Sequence, residues 1–220
     1  MAYWEQQLAK LKQAMADERP IAHEELLMMR DGQGRLARQM QPGPEVTPRP
    51  AGVLLLLYPQ AGELWLPLTV RSSDLPLHRG EISLPGGRVD PSDNGPVGAA
   101  LREAHEEVGI DPALVTILGM LASFYIPPSN HLLTPVVGYA LEAPLLRPAP
   151  REVAAAFSVP LRQLLDPATI IYEQREWNGI AIDVPYFALE GYKVWGATAL
   201  LLSELVARLR RLEGYNTQFE

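Results

Sequence analysis

Apolar positions along the chain follow two periods. Trp4, Leu8, Leu11 and Met15 recur at intervals of three and four, which predicts an amphipathic helix over residues 3–16, stopped by Pro20. Residues 23–30 predict a second short helix. Residues 31–50 are polar, carry Pro and Gly, show no period, and read as a linker or ordered loop. Residues 51–58 are an unbroken apolar run, as in a strand buried on both faces. Residues 63–71 predict a second strand, with Pro59-Gln60-Ala61-Gly62 turning a hairpin between them.

Residues 72–94 have no regular pattern and are crowded with Gly, Pro, His and charge. A loop of that length inside a compact domain usually carries function. Residues 96–108 predict a helix, with Asn94 or Gly95 at its cap, Pro96 in its first turn and Gly109 just past its end. Strands follow at 115–124 and 134–141, then a loop at 144–150 and an extended segment at 152–159. A helical turn at 161–165 precedes a hairpin of 170–175 and 180–187 around Trp177-Asn178-Gly179. The terminal helix covers 195–212, with Ala199, Leu202, Val206 and Leu209 on its apolar stripe. This is the pattern of an α/β fold: a mixed sheet, one central helix, one terminal helix and N-terminal additions. We divide the chain into a helical extension and linker at 1–50, one α/β domain at 51–212 and a tail at 213–220.

Composition narrows the partners. Of 220 residues, 47% are hydrophobic and 20% charged, which excludes a largely disordered chain. The formal charge is −7, so the basic footprint of a nucleic-acid binder is missing. Cysteine is absent, which excludes disulfides, zinc–thiolate sites and a thiol nucleophile. The longest apolar run falls far short of the ~20 residues that span a bilayer. The first fifteen residues have no apolar core of a secretory signal. The expectation is a cytoplasmic chain with neither nucleic acid nor membrane as partner.

The central helix carries the chemistry. At 100° per residue, Val97, Leu101, Ala104 and Val108 fall within about 60° of one another. Glu103, Glu106 and Glu107 fall on the opposite side. Like charges at these spacings cost a helix about 0.2–0.5 kcal/mol per pair, and a hard divalent cation with oxygen ligands offsets that repulsion. Taken alone, such a cluster is most often a solvated acidic face. The upstream Leu84-Pro85-Gly86-Gly87 changes the reading, because paired glycines let backbone approach a ligand closely. From Gly87 the chain runs five residues to Asp93, then eight to Arg102-Glu103-Ala104-His105-Glu106-Glu107-Val108-Gly109-Ile110.

This array resembles the Nudix box, G-x5-E-x7-R-E-U-x-E-E-x-G-U, where U is aliphatic. Its second half is matched at every fixed position. In the first half Asp93 stands where Glu is usual, and one extra residue separates it from Arg102. The coenzyme A-cleaving subfamily is similar in this longer spacer, here Gly86-Gly87-Arg88-Val89-Asp90-Pro91-Ser92-Asp93. It is also similar in an upstream motif, here Leu68-Thr69-Val70-Arg71-Ser72 followed by His78-Arg79-Gly80-Glu81-Ile82-Ser83-Leu84-Pro85-Gly86-Gly87. Residues 190–199 resemble that subfamily's entry into the terminal helix. Pro76 sits where its signature often has Arg, and Leu84 where it has an aromatic.

The resemblance implies a Nudix-type α/β/α sandwich and a pyrophosphohydrolase that uses Mg2+ or Mn2+ on a small nucleoside diphosphate. It makes Glu103 and Glu107 metal ligands, Glu106 a third ligand or the group that orients water, and the Gly86 carbonyl a backbone ligand. Arg102 holds the glutamates, with Asp93 or else Asp90 as its partner. Gly86 and Gly87 line the substrate side. Arg71 is the candidate phosphate contact, or else a side chain snorkelling at a strand end; His78 is assigned to the substrate by its place in the upstream motif. The general base stays open between a box glutamate, Glu173 and Glu176. His105 lies beside the helix's apolar face, and His23 and His131 read as surface residues. The specific reaction implied is cleavage of coenzyme A or its thioesters to 3′,5′-ADP and (acyl-)4′-phosphopantetheine. The alternatives are another diphosphate substrate (ADP-ribose, NADH or an oxidised nucleotide) or a binding module without catalysis. The family resemblance and the N-terminal helix are compatible with a homodimer.

Overall fold

The structure is a computed structural model that describes residues 2–37, 41–74, 79–177 and 179–213. His78 and Pro76 therefore lie outside the described residues, as do Asn178 and most of the tail. The elements begin with α1 (Tyr3–Ala16), β1 (Arg30–Asp31), β2 (Arg49–Gln60), β3 (Glu63–Arg71), β4 (Ile82–Ser83) and β5 (Gly86–Arg88). There follow α2 (Gly95–Val108), β6 (Thr116–Met120), β7 (Phe124–Ile126), β8 (His131–Tyr139) and β9 (Val153–Pro160). The chain closes with α3 (Leu161–Leu165), β10 (Ile170–Trp177), β11 (Ile180–Leu189), β12 (Tyr192–Trp195) and α4 (Gly196–Glu213).

β2 organises the larger, mixed sheet. It pairs in parallel with β8, and antiparallel with β5 at its start and β3 at its end. Its apolar run is buried on both faces. Leu55 and Leu57 join a core with Leu8 and Leu11 of α1 and Leu202 and Val206 of α4. Leu54, Leu56 and Tyr58 pack against Ala100, Ala104 and Val108 of α2. The result is the expected α/β/α sandwich around a mixed sheet. A smaller antiparallel sheet of β1, β11 and β10, with β12 also on β11, adjoins it. None of the described helices is long and apolar enough to cross a membrane.

Three expectations are corrected. Residues 23–30 do not form a helix beyond one 3-10 turn at His23–Glu25. Leu26, Leu27 and Met28 are all buried in succession, and Leu27 N–H donates to Ser203 Oγ at 3.0 Å, which an extended segment threading the core satisfies. The predicted loop at 72–94 contains β4 and β5, short strands created by docking on β3 and β2 rather than by any local period. The single strand expected at 115–124 is two, because the Ala122 N–H leaves the ladder to donate to the buried Glu204 carboxylate at 3.1 Å.

Candidate active site

Four elements converge on one end of β2. The helix α2 sits on β2 through Gly52, where a Cβ would meet the Pro96 carbonyl oxygen at 2.0 Å. This close approach sets the carboxylate side of α2 against β5. Gly109 ends the helix with φ 74°, a left-handed turn suited to glycine.

The two glycines of β5 are required for different reasons. A Cβ at Gly86 would lie 2.4 Å from the Gly52 carbonyl oxygen and 2.5 Å from Val53 Cα, so the constraint is backbone packing. A Cβ at Gly87 would lie 2.4 Å from Glu103 Oε1, so the constraint is the carboxylate resting on the strand. Next to it, the Gly86 N–H donates to Glu107 Oε2 at 3.1 Å.

The three box glutamates share one side of α2 but not one environment. Glu107 is buried, 5% exposed. Burial pushes its carboxyl up to about 7, against the opposing pull of the Gly86 N–H, and the charge of Glu103 adds to the rise. Glu103 is mostly buried, and burial also raises its carboxyl, opposed by Arg102. Glu106 is exposed and ion-paired with Arg102 at 3.0 Å.

Arg102 ties the helix to the loop before it. Nε and Nη2 each meet one oxygen of Asp93 at 3.0 Å, Nη2 also donates to the Arg88 carbonyl, and Nη1 reaches Glu103 and Glu106 at 3.0 Å. Asp90 stands off at 3.9 Å. The extra spacer residue is thus absorbed by the loop, and the shorter Asp93 side chain reaches its arginine. The guanidinium holds the Asp93 carboxyl below the usual carboxylate range.

A further carboxylate completes the cluster. One oxygen each from Glu103, Glu107 and Glu152 lie within 4.8 Å of one another. Glu106 is not in that group, and neither are Glu173 and Glu176. Glu173 is engaged with Lys193 and Arg175 on the smaller sheet, and Glu176 is exposed on the same strand. Glu152 arrives because β9 pairs with β3 to a register shift at Arg71, and the Ser72 N–H donates to the Glu152 carbonyl at 2.8 Å. No local signal distinguished it, since it is one acid at a strand start. Only the β3–β9 pairing brings it to the helix.

Arg71 ends β3 beside this cluster, and its charge favours the ionised form of Glu107. Its Nε is buried and has no hydrogen-bond partner among the described residues. The upstream motif folds as one unit here: Thr69 pairs with Ser83 across β3 and β4, with Thr69 Oγ1 donating to the Ser83 carbonyl at 3.0 Å. That ladder carries Arg71 on one strand and leads to Gly86 on the other. His131, expected at the surface, is half-buried, its Nε2 has no hydrogen-bond partner among the described residues, and burial lowers its ring below the usual histidine range.

Oxygen donors in a desolvated cluster of like charge suit a hard divalent cation. The site gathers a carboxylate set, a close backbone turn and a cation with an unused donor, which together can bind and polarise a phosphoric anhydride.

Comparison with known proteins agrees. The family model described as NUDIX domain matches residues 48–177. The chain is 39% identical over 164 residues to Nudix hydrolase 15, mitochondrial, of Arabidopsis thaliana, covering 70% of this chain and 56% of that protein. It is 36% identical over 171 residues to the Escherichia coli K12 protein named "Uncharacterized Nudix hydrolase NudL", covering 73% and 83%. It spans about half the length of two Arabidopsis relatives it matches. In fold alone it is similar to the MutT protein from Methanosarcina mazei Go1, with a TM-score of 0.50, 18% identity, and coverage of 79% of this chain and 100% of that one.

Proposed function

The chain belongs to the Nudix hydrolase family, and on that premise we propose that it hydrolyses the diphosphate of coenzyme A or its thioesters to 3′,5′-ADP and (acyl-)4′-phosphopantetheine. The observation that carries a hydrolytic reading is the triad of Glu103, Glu107 and Glu152 oxygens within 4.8 Å, set against the Gly86-Gly87 turn. The donor set fits Mg2+ or Mn2+, with Glu103 and Glu107 as the holding side chains, Glu152 beside them, Glu106 at the exposed rim and the Gly86 carbonyl as backbone donor. When bound, such a cation neutralises charge developing on phosphate oxygens and lowers the pKa of a water molecule.

The chain's own groups do the rest. Arg71, which ends β3 beside the carboxylates, is the cation we assign to a phosphate oxygen, a charge-assisted bond of the stronger kind. Arg102 keeps the helix carboxylates and the Arg88 segment in one arrangement, so little reorganises when substrate arrives. Glu152, exposed at the rim, is the carboxylate we assign to take the proton of the attacking water. His78 is assigned to the substrate on its motif position alone.

The choice of coenzyme A rests on the Leu68–Ser72 and His78–Gly87 motifs. The test is metal-dependent turnover of coenzyme A, acetyl-coenzyme A, ADP-ribose, NADH and an oxidised nucleoside triphosphate by the full chain, with products identified by mass. The expected result is highest kcat/KM on coenzyme A or its thioester. ADP-ribose exceeding coenzyme A tenfold would replace this substrate with another diphosphate. Ligand binding without turnover of any of them would make the protein a binding module.

A further inference from the structure

The strand β10 is an edge. Within the described residues it pairs on one side only, with β11, in register from Ile170↔Phe187 to Trp177↔Ile180. It carries neither proline nor bulge, the devices that commonly blunt an open edge, and no described strand or helix covers it. Large apolar side chains stand exposed along it: Ile171 is 40% exposed, Tyr172 54% and Trp177 45%, with Ile180 beside Trp177 on β11. The N-terminal helix, by contrast, spends its apolar stripe inside its own chain, where Leu8, Leu11 and Ala14 are buried in the core.

The sequence of this edge is complementary to itself. Two copies joined edge to edge by a two-fold axis pair antiparallel, and the geometry obliges one residue to face its own copy. With Gln174 at that position, Ile171 faces Trp177, Tyr172 faces Glu176 and Glu173 faces Arg175, each pair occurring twice. Apolar side chains meet apolar, a phenol meets a carboxylate and opposite charges meet. The neighbouring centres fail: Glu173 or Arg175 on the axis opposes a like charge, and Tyr172 on the axis sets Ile171 against Glu173. Directly opposed like charges destabilise a strand pair, whereas apolar and opposite-charge pairs stabilise it. Within the chain Glu173 and Arg175 pair at 2.9 Å, Glu173 also meets Lys193 and Arg175 lies over the Trp195 ring, and the two side chains remain 42% and 38% exposed, open to a second partner.

We propose that β10 is the interface through which a second copy of this chain binds, antiparallel and centred on Gln174, joining the two smaller sheets into one continuous sheet. The inference is independent of the substrate assigned above.

The absence of cysteine makes the test clean. Gln174→Cys introduces the only thiol, and on the axis its Cα would stand about 4.5–5.5 Å from its copy, inside the range a disulfide spans. Arg175→Cys moves the thiols two residues apart along the ladder, to roughly 8 Å, beyond that range. The expected results are a dimer of the native chain by light scattering at micromolar concentration, and near-complete covalent dimer for Gln174→Cys after mild oxidation with little for Arg175→Cys. Arg175→Glu, which sets four carboxylates around the axis, should weaken the dimer at least tenfold while circular dichroism stays native. A monomeric native chain overturns the proposal. So does a dimer in which Gln174→Cys links no better than Arg175→Cys, or one that Arg175→Glu leaves intact.

Discussion

Arg102 grips Asp93 with two parallel hydrogen bonds, both 3.0 Å, tying the acidic helix to the loop that follows the Gly86-Gly87 turn. The same guanidinium holds the Arg88 carbonyl and two of the glutamates. One cation therefore fixes the turn, the loop and the helix together. Asp93→Asn leaves the shape but removes the charge and one acceptor. We expect it to lower metal affinity or kcat about 10–100-fold, the usual scale for losing a group that orients ligands, and to lower Tm. Asp90→Asn, at 3.9 Å and half exposed, should change either much less. Metal titration by calorimetry and a thermal melt of both variants check this.

The adjacent glycines should fail in different ways. In Gly86→Ala the new methyl meets the backbone of Gly52 and Val53, which cannot yield without parting β5 from β2. The expected outcome is loss of stability with activity lost alongside it. In Gly87→Ala the methyl meets the end of the Glu103 side chain, which can swing away. That variant should fold and melt close to the parent yet lose on the order of 10²-fold in kcat, because a displaced ligand group is a misplacement of about 1 Å. A thermal melt paired with kcat for each substitution separates the two.

Much of this arrangement is legible in the chain. The apolar run of β2, the stripe of α1 and the capped helix α2 are long and periodic, and each stands where its pattern predicts. The Arg102–Asp93 pair follows from spacing, once the extra residue is set against the shorter side chain. What is not legible is whatever depends on distant pairing. β4 and β5 are too short to show a period and exist because β3 and β2 offer edges. Glu152 joins Glu103 and Glu107 only through the β3–β9 ladder. Residues 26–28 look helical in sequence, but all three are buried in succession, which no single helix face could do. The split between buried Glu107 and exposed Glu106 reflects how closely α2 is drawn to β5 by Gly52.

Glu152 gives the sharpest contrast among the acids. If it takes the proton of the attacking water, Glu152→Gln should reduce kcat by about 10²-fold or more. Glu173→Gln and Glu176→Gln, on the smaller sheet and outside the cluster, should leave kcat close to the parent. Equal losses in Glu152→Gln and Glu173→Gln would return the base to the later hairpin.

Glu107 links the site to stability. Its carboxyl is pushed up to about 7 in the folded, metal-free chain by burial, and in the unfolded chain it returns to the ordinary value of 4.5. Below about 4.5 both states hold the proton and burial of the neutral acid costs nothing extra. As pH rises toward 7, the unfolded state releases its proton first and the folded state is progressively disfavoured, by an amount on the order of 3 kcal/mol for a shift of this size. Carboxylates such as Asp93, held low by Arg102, act in the opposite sense and lose their stabilisation only in acid. The contribution of Glu107 is therefore isolated by difference. Between pH 5 and pH 8, in chelator, the parent should lose stability relative to Glu107→Gln, which cannot ionise. Adding Mg2+ or Mn2+ at pH 8 should restore the parent but not the variant, since the cation binds the ionised carboxylate and competes with its proton. The same Glu107→Gln change should cut turnover at least 10²-fold, the scale of one preorganised electrostatic group. Denaturant melts of the two proteins at both pH values, with and without metal, supply all four comparisons: parallel pH dependence in chelator would overturn the burial shift, and equal stabilisation of parent and variant by metal would remove Glu107 from the metal site.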